Sequence, residues 1–354
     1  MKQLDQYIAR HVFMATMVVI AVIVGLDAIF SMVEEIRRLS GDYQFAEALQ
    51  FTAMRLPRRA YEYMPMACLI GCLSGLGSLA ASSELTVMRA AGISVQRIII
   101  AVLKPMAMLM VVSLLVAEFV VPSFERIAQT QKTIALGKSV SFDNRDQGFW
   151  HREGNTFMRF SAIEPNGVLH GITMYEFNAE NELVRVRRID RALYQQEQWQ
   201  LQTIQDLLIT PNHTQLQSIA YEDWKTQLTP DGLSVVMVAP ADMAISTLFA
   251  YTRYLQQQNI NADQYLLSFW RKTLQPLGTF ALVLLGISFI FGPLRAVTPG
   301  YRIFSGIMVG LLYKYTEDIL APVSIVAGFA PIWASVIPIM LSAGLGLWLL
   351  KKAG

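Results

Sequence analysis

Six long apolar stretches, three on either side of a polar stretch from Pro122 to about Tyr265, constrain this 354-residue chain more than any short motif in it. They run over Phe13 to Val33, Ala60 to Ala81, Ile98 to Val121, Tyr265 to Phe291, Ile303 to Val323 and Pro331 to Leu350. Each can span a bilayer, because about 20 apolar residues rising 1.5 Å apiece cover a hydrocarbon core near 30 Å thick. A hydrophobic content of 53% and a mean hydropathy of +0.38 agree, since ordinary soluble domains carry less. The expected fold is an α-helical membrane protein with six transmembrane helices (3+3) and an inserted all-β domain. An even number of spans places both termini on one side. Met1 to Arg10 is polar, and the run behind it ends without a small-residue cleavage pattern, so it reads as a retained first helix.

Beyond Pro122 the apolar period shortens. Phe157, Met158 and Phe160, then Ile172 to Phe177, read as strands, and Asn178 to Glu182 as a hairpin connection. Trp199, Gln200, Leu201 and Gln202 alternate as in a strand with one dry face. A sandwich or jelly roll follows, giving residues 1–134 and 244–354 to the membrane and 135–243 to the β domain. Tyr251, Tyr254 and Leu255 form an amphipathic lead into the fourth span. Within the second span, Gly71, Gly75 and Gly77 allow close approach of neighbouring backbones. Cys68 and Cys72 sit at i and i+4, farther apart than a disulfide permits, and read as packing residues.

The formal net charge of +2 sets up no global field for nucleic acid. His11, His151, His170 and His213 are dispersed, with no metal-ligand spacing, and neither a metal nor another cofactor is expected. Gly137, Lys138 and Ser139 resemble the end of a phosphate loop, but Lys132 stands where that motif needs glycine. The Asn212 glycosylation triplet carries no weight. Nothing here reads as catalytic machinery.

Charge placement is more telling. Lys2, Arg10, Arg89, Arg97, Arg295, Arg302, Lys351 and Lys352 lie on the side of the termini, and Arg37, Arg38, Arg55, Arg58, Arg59, Arg126 and Lys132 on the other. Cations on both sides leave the positive-inside rule without a clear answer. The second set fits a bound anion, or else simple neutralisation by Glu34, Glu35, Asp42 and Glu47. Between the second and third spans, Ser82 to Gly92 has serines suited to a helix start and a glycine suited to its end. With Val87, Met88 and Ala91 on one face, this short helix is either a knob for a partner protein or an interfacial turn. Lys314, Glu317 and Asp318, at i, i+3 and i+4 within the fifth span, can pair along one face toward a bundle interior or a wet cavity.

The stretch Ser83 to Gly92, together with Ile287 to Arg295, resembles the LptF/LptG permease family. Shorter agreements at Leu4 to Ile8, Asn155 to Phe157, Trp224 to Asp231 and Gln275 to Leu277 extend the likeness over the whole chain. The resemblance implies a lipopolysaccharide exporter of a Gram-negative inner membrane, without an ATPase site of its own. Its implied partners are LptF as the other half of a heterodimer, an LptB ATPase dimer, and LptC and LptA in a periplasmic jelly-roll bridge. It places the termini and the short helix in the cytoplasm. By the same likeness Arg37, Arg38, Arg58 and Lys132 would meet the glycolipid phosphates. Glu84, Leu85, Met88, Arg89, Ala90 and Gly92 would couple to the ATPase, with Glu84 as the charged contact. One departure stands at Ser31, late in the first span, where the family can carry a further basic residue. Rival readings are the paralogous partner subunit, a membrane-embedded lipid-modifying enzyme using the Lys314 set, and a scaffolding permease.

Overall fold

The computed structural model describes residues 2–40, 42–136, 149–164, 168–195, 198–210, 213–226, 228, 239–257, 261–292 and 297–353. Gly41, which reads in the sequence as the stop after the first helix, the Gly137 to Ser139 triplet, Asn212, and the Thr229 to Asp231 and Pro293 to Arg295 parts of the family-like stretches lie outside them. The chain divides into two compact units. One comprises Met1–Ser31, Arg55–Ser123 and Pro240–Gly354, and the other Met32–Met54 and Phe124–Ala239.

The helices are α1 (Lys2–Ile36), α2 (Phe45–Ala81), the short α3 (Glu84–Ala90), α4 (Val95–Leu115) and α5 (Val121–Ala135). One π-helical turn, Val116–Val120, joins the last two. After the strands come α6 (Ile245–Gln257), α7 (Asp263–Phe291), α8 (Pro299–Ala327) and α9 (Ile332–Ala353). Among the described residues, five spans are long and apolar enough to cross a membrane: α1, α2, the continuous α4 to α5 run, α7 and α9. The sixth expected span, α8, matches α7 with 29 residues but carries Lys314, Glu317 and Asp318 at its middle. The protein is a multi-pass membrane protein. Its helices begin earlier than hydropathy marks: α1 starts at Lys2, well before Phe13.

Glycine sets the packing of α2 on α1. A Cβ on Gly71 would lie 2.5 Å from the Thr16 Cα, and one on Gly75 would lie 2.8 Å from the Val12 Cα, so these backbones touch. Gly77 leaves room for Arg302, which is buried and donates from Nη1 to the Gly77 carbonyl at 2.6 Å. Cys68 and Cys72 are free and fully buried in the apolar core beside Ile8, Val12 and Leu73, in the packing role expected of them. Asp27, the one charge in the first span, receives the Tyr63 hydroxyl at 2.7 Å and Arg59 at 3.1 Å. In the π turn, Glu118 accepts from the Ile245 N–H at 2.8 Å and so caps the start of α6.

In the second unit, β1 (Phe149–Glu153), β2 (Thr156–Glu164), β3 (Val168–Phe177), β4 (Leu183–Gln195), β5 (Gln198–Thr210) and β6 (His213–Trp224) form an antiparallel sheet in sequence order. The inserted domain is all-β, as expected. Among the described residues its order is that of a meander, without the crossings between two sheets that a jelly roll has. Burial nevertheless changes phase within strands: Leu169 then Ile172, Ala192 then Ile189, Leu201 then Ile204. These breaks fall on one row across the sheet, at Ser161, Gly171, Asp190 and Thr203, each of which is skipped in the pairing. Gly171 and Thr203 adopt φ of +60° and +56° there. A crease along this row turns the strands over, so that residues of both parities are buried in one core.

The Asn178 to Glu182 hairpin is present. The Asn178 carbonyl oxygen Oδ1 accepts from the N–H groups of Glu180 at 3.0 Å and Glu182 at 2.8 Å. Trp199, 1% exposed, donates its indole N–H to the Leu228 carbonyl at 2.8 Å and packs on Tyr194 and Trp224. An ion-pair network closes the same sheet. Arg185 donates to both oxygens of the buried Asp206, and Arg187 reaches Glu222. Hydrogen bonding from Arg185 holds the Asp206 carboxyl below the usual range despite its burial.

Candidate functional site

The short helix α3 is built to hold one face out. Leu85 and Met88, three residues apart, are buried in the same cluster as Ile8, Val12 and Ile98. Val87 is 66% exposed, with Thr86, Arg89, Ala90 and Ala91 exposed beside it. The grouping of Val87, Met88 and Ala91 on one face is thus corrected: Met88 is an anchor, and the outward ridge is Val87, Ala90 and Ala91. Leu85 and Met88 therefore serve the candidate surface from beneath.

Both ends of α3 depart from simple capping. Ser83 occupies the N-cap with φ of +62° and no side-chain capping bond, so the serines do not start the helix in the expected way. Ser82 instead donates its hydroxyl to Glu84 at 2.9 Å, and the Tyr7 hydroxyl also bonds Glu84. At the other end Gly92, φ +86°, donates to the Arg89 carbonyl at 3.0 Å while Ile93 donates to Met88 at 3.1 Å. This is a Schellman motif, as the glycine suggested. Because Gly92 has open space around it, Gly92→Ala is expected to cost only the left-handed conformation, about 1–2 kcal/mol. Ser83→Gly should relieve a comparable strain. Thermal melting of the purified chain carrying each substitution measures the two opposite shifts.

Arg97, near the start of α4, grips Asp5 of α1 with Nε to Oδ1 at 2.9 Å and Nη2 to Oδ2 at 3.1 Å. This bidentate pair ties the first turns of two spans together. Sequence spacing gives no hint of a partner 92 residues away.

The four predicted basic positions divide by their partners. Arg37 and Arg38 follow the end of α1 and are exposed, Arg38 making an ion pair with Glu34. Lys132 is inserted between the Phe51 ring, 4.1 Å away, and Glu35, whose oxygens it meets at 2.7 and 2.6 Å. Glu35 also accepts from the Tyr43 hydroxyl at 2.9 Å, and burial followed by that carboxylate pushes the phenol's pKa up. Arg58, in the membrane unit, meets Glu62 at 3.0 Å and Asp242 at 2.8 Å. Neutralisation by acids therefore accounts for Lys132 and Arg58 more fully than for Arg37. Lys314 pairs with Asp318 at 3.4 Å as spacing suggested, but Arg271 of α7 was missed: it reaches Asp318 at 2.6 Å and Glu317 at 3.3 Å.

Long helices on each side of an inserted β domain, three apolar spans before it and α7, α8 and α9 after it, with a short anchored helix between the second and third, are the architecture of a permease-type membrane subunit. The chain belongs to the lipopolysaccharide export system permease LptF/LptG family, whose model matches residues 6–352. It is 34% identical to the lipopolysaccharide export system permease protein LptG of Haemophilus influenzae, over 99% of this chain and 98% of that one. It is 33% identical to the protein of the same name from Escherichia coli K12, with the same coverage.

Proposed function

We propose that the chain is one permease subunit of an ATP-driven exporter that lifts lipopolysaccharide from the outer leaflet of a Gram-negative inner membrane. Family membership over nearly its whole length carries this reading. The subunit pairs with LptF and is driven by an LptB ATPase dimer. Its β domain, residues 135–243, lies in the periplasm and joins LptC and LptA in the bridge to the outer membrane. Residues 1–134 and 244–354 supply the membrane halves, and ATP chemistry belongs to the partner.

The outward ridge of α3 is the surface the ATPase moves. Glu84, Arg89, Ala90 and Gly92 contact it, and Leu85 and Met88 carry the displacement into the bundle. Glu84→Arg should abolish export while the chain still inserts, and reversing the facing arginine on the ATPase should restore it. Normal export by the single variant removes Glu84 from this role.

Arg37 and Arg38 meet the lipid phosphates first, since exposed guanidinium groups offer bidentate hydrogen bonds. Arg38 shares its guanidinium with Glu34, but both side chains of that pair are exposed. At Arg58 and Lys132 a phosphate has to reach largely buried cations and compete with carboxylates already within 3.0 Å. Photocrosslinking residues at 37 and 38 should therefore capture lipopolysaccharide more strongly than one at 58. Equal capture, or none at 37 and 38, contradicts this order.

A further inference from the structure

The membrane unit encloses a cavity of about 300 Å³ among α2, α7, α8 and α9 that the export reading leaves unused. Its charged lining is balanced, with Arg271, Lys272 and Lys314 against Glu62, Glu317 and Asp318. These charges are satisfied by protein. Arg271 and Lys314 pair with the two α8 acids, the Arg271 Nε meeting Glu317 as an ion contact without a hydrogen bond, Glu62 pairs with Arg58, and Lys272 donates to the Met243 carbonyl at 2.6 Å. The cavity therefore calls for no ion.

What it leaves unmet is hydrogen bonding, chiefly of neutral groups beside the Arg271 Nε–H. Tyr61, 7% exposed, and Ser335, 2% exposed, line it with buried hydroxyls that have no partner among the described residues. Gln275 commits its amide N–H to the Tyr61 carbonyl at 2.9 Å, which leaves its own carbonyl oxygen unpartnered in the same lining. Each such group is destabilising when buried without a partner, because its lost hydration is not replaced. A lipid tail satisfies none of them, and a charged ligand upsets a balanced lining. A water molecule needs only roughly 10–15 Å³ of space and two to four polar neighbours. It also donates and accepts, as hydroxyls beside a bare carbonyl require.

We propose that this cavity is a hydration site, occupied by a small cluster of water bonded to Tyr61, Gln275 and Ser335. The cluster lies against the Arg271–Glu317–Asp318 contact and screens it. Lys314 and Asp318, at 51% and 40% side-chain exposure, mark its open side. The Arg271 link from α7 to the α8 acids is then a wet one, able to exchange partners with water at little cost. A dry pair resists such exchange.

Radiolytic labelling in ¹⁸O-water, applied to the membrane-embedded complex, reads this directly, because side chains touching bound water take up the isotope. Tyr61 should label at least about tenfold faster than Met106, a methionine at 0% exposure in the apolar core. Filling the cavity with Ser335→Leu should cut the Tyr61 signal several-fold and leave Met106 unchanged. Tyr61 labelling no faster than Met106 in the unaltered protein overturns the proposal, and so does a Tyr61 signal that survives Ser335→Leu in full. Neither readout depends on transport, so failure here is separate from failure of the export assignment.

Discussion

Gly71→Val is expected to separate α1 from α2 and to expose thiols that are sealed in the folded chain. The added Cβ alone falls 2.2 Å from the Thr16 Oγ and 2.5 Å from its Cα. A side-chain oxygen can rotate away, but a backbone carbon cannot, so the helices themselves must shift. Overpacking commonly costs about 1–3 kcal/mol, and an unyielding backbone neighbour places this site at or above the top of that range. Cys72, the next residue, is at 0% exposure and reports the change without a further mutation. Maleimide labelling of the detergent-solubilised protein should be slow for the native chain and at least several-fold faster for the valine variant. Unchanged labelling would falsify the close α1–α2 contact.

Trp199→Ala should be the most damaging single substitution in the β domain, costing about 3–5 kcal/mol. The indole is 1% exposed, sits between Tyr194 and Trp224, and donates its N–H to the Leu228 carbonyl. Its loss removes a large buried surface and leaves that carbonyl without its donor. Trp199→Phe keeps most of the packing and forfeits the hydrogen bond, so its cost should be about 1–2 kcal/mol. Hydrogen exchange of the full-length protein separates the cases: β4 and β5 amides lose protection strongly in the alanine variant and weakly in the phenylalanine one. Equal loss in both assigns the effect to the hydrogen bond instead of the packing.

Features that depend on neighbours along one helix or strand were open to the sequence, and those that depend on contacts across the chain were not. Apolar length gave the spans, and the 3.6-residue period put Lys314 beside Asp318. Local turn chemistry gave the Asn178 hairpin and the Gly92 stop. In contrast, Arg271 and Arg97 find their carboxylates on other helices, and a salt bridge of this kind leaves no periodic trace. The same limit explains Met88, where a seven-residue helix has too few turns for its pattern to say which face is covered. The crease in the sheet was hidden because it depends on φ at Gly171 and Thr203, and threonine gives no warning of a positive φ. Among the basic positions, exposure distinguishes Arg37 and Arg38 from the largely buried Arg58 and Lys132, a distinction that charge counting alone lacks.

Reconstitution tests the central claim, that this subunit moves its cargo only when a nucleotide-hydrolysing partner drives α3. Liposomes containing lipopolysaccharide and this chain, with or without LptF, LptB and ATP, are assayed for transfer of the glycolipid to a soluble acceptor. Transfer is predicted only in the complete, ATP-supplied mixture. Transfer by this chain alone, without any ATPase, would contradict the account.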